Sequence, residues 1–192
     1  MPLPSTKDEY IDFLSVLENK IAVQRFLGME LMKQAPEGVT VIVAGAFEDP
    51  TEVKCTDPFK DLSQLVSSQR EADTRIVLHA INCESPVVIV SARDTDILVI
   101  LLHHNERLSN KEVYFPTKTG ETKRYVNLKL LANHLGSDIC ETLPLCHSVS
   151  GCDSTSQHYG IAKKTAFDTL KSNHNLLKIS KEYPLPLLLE PR

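Results

Sequence analysis

Apolar residues recur at helical spacing through Ile11, Leu14, Leu17 and Ile21 and continue through Phe26, Leu27, Leu31 and Met32, so residues 8–33 predict one or two amphipathic helices. Pro36 and Gly38 stop them. Val39 to Phe47 is apolar and β-branched-rich and predicts a buried strand. Glu48 to Pro58, punctuated by Pro50 and Pro58, predicts a loop. A helix is expected near Phe59, carrying Leu62, Leu65 and Val66. Ser68 stands three residues before Glu71, a capping-box spacing, and Ala72, Ile76 and Ala80 follow at helical intervals.

Pro86 closes that helix, and Val87 to Val90 reads as a short, fully apolar strand of the kind found in parallel sheets covered on both faces. The longest apolar run, Ile97 to Leu102, is a core element. Val113 to Phe115 predicts a strand, Thr117 to Thr122 a turn around Gly120, and Arg124 to Val126 a returning strand. Asn127 is placed to cap a helix bearing Leu128, Leu131, Leu135 and Ile139, and Leu143 to Val149 leads into Gly151-Cys152-Asp153. A last helix covers about Ala162 to Leu176. No repeat or low-complexity tract interrupts the pattern. Helices alternating with short apolar strands imply an α/β fold.

Composition narrows the function classes. A chain of 192 residues that is 42% hydrophobic can bury one ordinary core. The net charge of −4 excludes a basic nucleic-acid binder as a whole. The charge is uneven, however: residues 161–192 sum to +3 and residues 1–160 to −7, so phosphate contact is expected toward the C-terminal end. Five cysteines without a C-x-x-C pair, and an N-terminus lacking the features of a secretory signal, point to reduced thiols in the nucleus or cytoplasm. No apolar stretch reaches transmembrane length, so no membrane partner is expected.

Three acidic signatures then stand out: Glu71-Ala72-Asp73, Asp94-Thr95-Asp96 and Gly151-Cys152-Asp153. Carboxylates gathered at one edge of a sheet repel one another unless a cation neutralises them, and hard divalent ions prefer such oxygens. Asp94 and Asp96 follow a parallel-type strand, where α/β folds place ligands. In extended backbone their side chains would point the same way and share an ion. Asp94 is equally placed to cap the helix that starts near Ile97. Glu71 and Asp73 would diverge in mid-helix but fit a helix N-terminus, either as a capping-box partner and a first-turn acid or as ligands. Asp153, after a glycine, suits an Asx-turn or a ligand.

The order of these segments, with Gly160-Ile161-Ala162-Lys163-Lys164-Thr165-Ala166 after them, resembles the C-terminal part of the flap endonuclease/XPG-type, PIN-like nucleases over about residues 10–175. It also resembles PIN-like proteins found in many copies in invertebrate genomes and linked to mobile elements, through Glu71–Arg75, Asp94–Asp96 and Gly151–Ser156. The resemblance implies a three-layer α/β fold with a mostly parallel central sheet, preceded by a helical segment at 1–36, spanning 37–176 with a helix–turn–helix at about 153–176, and followed by a tail at 177–192. It implies that Glu71, Asp73, Asp94, Asp96 and Asp153 hold two Mg²⁺ (or Mn²⁺) ions that clamp a scissile phosphate. It further implies that Gly160, Lys163, Lys164 and Lys171 grip nucleic-acid backbone, DNA before RNA. Arg75 and Arg93 flank the acids, either touching the phosphate or pairing with the carboxylates.

Two departures qualify this expectation. No strand ending in Asp precedes residue 39, where the family carries further ligands, so the chain is expected to be a truncated copy with weak or absent activity. Ala162 and Lys163 stand where the phosphate-gripping turn has glycine and often proline. The rival expectation is a catalytically silent module, derived from a nuclease, that binds nucleic acid or protein. A zinc site from Cys140, Cys146, His147, Cys152 and His158 is a further rival, against which the five-residue gaps between cysteines weigh.

Overall fold

The computed structural model describes residues 6–45, 47–68, 72–92, 94–119, 122–151 and 162–173. The chain divides into two compact units, one ending at Arg75 and the other beginning at Ile76. The division falls inside a continuous helix, α3 (Ala72–Asn82).

The first unit opens with α1 (Lys7–Ser15) and α2 (Leu17–Lys33). Thr6 and Glu9 form a reciprocal capping box at the start of α1, the Glu9 amide donating to the Thr6 hydroxyl at 3.2 Å. Val16 leaves helical geometry (φ −80°, ψ 120°), so the predicted stretch is two helices. Their apolar positions are not core: Leu17 and Phe26 are 63% and 64% exposed, and Gly28 is the buried residue of α2. Periodicity marks a stripe, but burial needs something to cover it.

Next come β1 (Ile42–Ala44) and β2 (Val53–Cys55), paired antiparallel with Val43 opposite Lys54. The strand is much shorter than the Val39–Phe47 expectation, and its partner comes from the stretch expected as loop. Gly45 ends β1 in the left-handed region (φ +74°), which favours glycine, and a Cβ there would press on the Arg75 side chain, 3.1 Å from its Nε. The Arg75 guanidinium in turn donates to the carbonyls of Pro50 and Ser67. The helix expected near Phe59 is a short 3-10 turn, Ser63–Leu65, with Leu65 buried.

The second unit continues from α3 through β3 (Val87–Ile89), α4 (Thr95–His103), β4 (Glu112–Thr119), β5 (Thr122–Asn127), α5 (Leu128–Leu135), α6 (Ser137–Val149) and α7 (Lys163–Ser172). Among the described residues the strands form a three-stranded sheet in the order β3-β4-β5 and the separate β1-β2 pair. This overturns the expected PIN-like three-layer fold with a mostly parallel central sheet. The chain is α/β with seven α-helices and two small sheets among the described residues, and β3–β4 is the parallel pairing. The reason lies in the connections. β3 reaches β4 through α4, a crossover long enough for parallel strands, whereas β4 turns straight back into β5 and a tight hairpin must be antiparallel.

The core of this unit gathers Val77 and Ala80 of α3, Ile97, Leu101 and Leu102 of α4, Val113 and Phe115 of β4, and Leu128 and Ala132 of α5. Ile97 and Leu101 lie four apart on one face of α4, and Val113 and Phe115 alternate on β4, each at its own period. Among the described residues the expected cover on both sheet faces is not found. Val88 packs on the core, but Val87 and Ile89 are 52% and 61% exposed on the opposite face. Asn127 caps α5 as its sequence position predicts, accepting from the Leu130 amide at 3.0 Å. The helix expected to run on to Ile139 is cut at Gly136 (φ 85°, ψ 155°), and α6 begins there.

Candidate metal centre

The site is built on two helix starts. After β3 the chain reaches Asp94, which stays extended (φ −85°, ψ 132°) and caps α4, its Oδ1 accepting the Asp96 amide at 3.0 Å. Asp96 lies in the first turn of α4, and Asp73 in the first turn of α3. Exposed amides and the helix dipole favour negative charge at both places. Asp73 is set by the same helix that carries Val77 and Ala80 into the core.

Asp73, Asp94 and Asp96 each offer one oxygen, and these oxygens lie within 4.8 Å of one another. Cis ligands of an octahedral Mg²⁺ are about 3 Å apart and trans ligands about 4 Å, from a metal–oxygen distance near 2.1 Å. Three hard oxygens this close together are of the type that suits Mg²⁺ or Mn²⁺. The cap engages one carboxylate oxygen of Asp94, Oδ1, and leaves its other oxygen open to an ion. The two acids of the second signature converge by a cap and a first helical turn, not by an extended strand as expected.

A fourth group borders the cluster. His147, in the last turn of α6, places Nε2 2.8 Å from Asp96 Oδ1, with side chains 14% and 23% exposed. That nitrogen is buried and meets the oxygen off the line of a hydrogen bond, so the contact is one of close approach. From the sequence, His147 is expected only as a zinc ligand. Its pairing with an acid 51 positions earlier had no local signal.

Glu71, Asp153, Gly160 and Arg93, all expected at the site, lie outside the described residues. Arg75 binds the Pro50 and Ser67 carbonyls. Lys163 and Lys164 are exposed in the first turn of α7, and Lys171 is exposed in its last. Lys164 and Lys171, seven residues apart, share one face of that helix, while Lys163 is turned by about 100°. For the zinc expectation, Cys140 is buried in the core and Cys152 and His158 lie outside the described residues. The aspartate trio is the metal-compatible group found among the described residues.

The fold and site thus define an α/β chain with a carboxylate cluster at the starts of two helices. No family model, curated protein or solved structure matches the chain. No helix among the described residues is long and apolar enough to cross a membrane.

Proposed function

We propose that this chain is a divalent-cation-dependent domain acting on the phosphodiester backbone of nucleic acid, with Mg²⁺ or Mn²⁺ as its ion. The observation that carries the reading is the convergence of Asp73, Asp94 and Asp96, with ligand oxygens within 4.8 Å of one another. The order of the acidic segments, which resembles that of PIN-like nucleases, supports it. A bound ion would supply an acidified water and charge stabilisation at a phosphate oxygen. The chain's own carboxylates serve as its ligands. Lys163, Lys164 and Lys171 offer exposed positive charge to phosphates, which gives affinity without reading sequence.

Three carboxylates are a set for one ion, and this favours a second reading in which the domain binds nucleic acid with slow or no cleavage. The two are separated by measuring Mn²⁺ binding and metal-dependent cleavage of labelled single-stranded and flap DNA side by side. Asp94→Asn is the control of choice, because asparagine caps a helix as well as aspartate does. Binding with cleavage, both cut about a hundredfold or more in Asp94→Asn, upholds the nuclease. Binding without cleavage leaves the silent module. No binding at millimolar Mn²⁺ ends both metal readings.

A further inference from the structure

We infer that His147 is the positioning residue of this centre, holding Asp96 in the rotamer from which it takes the cation. The inference rests on the metal-site reading above and deepens it. Two contacts between α4 and α6 carry it. At one end, His147 Nε2 sits 2.8 Å from Asp96 Oδ1. At the other, His103 Nδ1 lies 3.0 Å from the Glu141 carbonyl oxygen. Along α4 these points are seven residues apart, about 10 Å, and along α6 six residues, about 9 Å, at 1.5 Å per residue. The helices therefore run antiparallel in a register that two matched polar contacts fix, and the contact at the acid end falls on a member of the cluster.

The consequence is chemical. Asp96 projects from the first turn of a helix, where its own backbone does not fix its carboxylate. An imidazole on one oxygen sets the carboxylate plane and so places both oxygens relative to Asp94 and Asp73. Partners that orient ligands in this way are commonly worth a factor of 10–100 in metal affinity. Burial of Nε2 keeps water from competing for the contact.

The test uses the full chain and Mn²⁺, with free ion counted by electron paramagnetic resonance. His147→Leu, which keeps the packing volume, is expected to weaken Mn²⁺ about 10- to 100-fold. His147→Gln, which keeps a polar N–H group against Asp96, is expected to recover most of that loss, a rescue that packing alone does not predict. In the wild type, diamagnetic Mg²⁺ is expected to move the ring ¹⁵N resonances of His147 and leave those of the exposed His134 in place. This measurement needs no variant and decides the matter should His147→Leu not fold. Tight Mn²⁺ binding by wild type and His147→Leu alike, or an unmoved His147 ring in a chain that binds the ion, overturns the positioning role and leaves the metal centre standing. Failure of the wild type to bind Mn²⁺ overturns both.

Discussion

At the scale of single residues, Asp94 shows how one side chain can serve a helix cap and stand in an acid cluster at once. It caps α4 through Oδ1 while standing in the acid cluster. Asp94→Ala is expected to cost about 1 kcal/mol through the lost cap. Asp94→Asn keeps the cap and relieves repulsion, so without metal it should be at least as stable as wild type. Urea unfolding in EDTA checks this, and an equal loss in both variants would remove the capping account. His104 offers a separate reading. Burial, with neighbouring His103 and Arg107, lowers its imidazole from 6.5 to about 4. The unfolded chain takes up this proton near its ordinary value and the folded chain only near the lowered one. Stability is therefore full above about pH 6.5 and lost as pH falls toward 4. The ring is half-buried, so screening holds the effect to about 1–2 kcal/mol. His104→Gln should flatten this acid limb in urea midpoints taken between pH 7 and 5. The same slope in both proteins would assign the limb to other groups.

At the scale of elements, caps and breaks set the boundaries. The Asn127 cap was legible because a side-chain acceptor before an apolar periodic run has a local geometric consequence. The break at Gly136 was not, since the leucines run at helical spacing straight across it. Its backbone (φ 85°, ψ 155°) is nearly closed to other residues. Gly136→Ala is expected to destabilise by about 1–3 kcal/mol although open space surrounds the position, a loss readable by thermal unfolding. An unchanged midpoint would mean that α5 and α6 re-join without strain. Strands were harder to read than helices. β2 carries three residues in a stretch rich in acids and turn formers, and only its pairing with β1 makes it a strand.

At the scale of the whole molecule, the proposed cation would enter folding thermodynamics, since an ion bound only by the folded chain stabilises it by mass action. Mn²⁺ at about a hundred times its dissociation constant should add about 2.7 kcal/mol, seen as a higher Tm that EDTA reverses. Asp96→Asn should abolish the increment. A rise of equal size in that variant would place the ion elsewhere. The site residues themselves were legible as recurring acidic signatures, and three of them converge in the fold. His147 was legible only as a histidine, because its distance in sequence from Asp96 hides their contact.

Local rules were enough to place α3, α4, α5 and α7, to make Asn127 a cap and Asp94 a candidate cap, and to single out the acids that are candidates for a cation, but not to find α6 or the break at Gly136. The legible features follow from interactions within a few residues, where spacing and side-chain type suffice. Long-range packing set the sheet's mixed direction, the exposure of Val87 and Ile89, and the meeting of α4 with α6 that puts His147 against Asp96. Those depend on which distant segments the chain brings into contact, and hydrophobic periodicity states that a face will be covered without naming its partner.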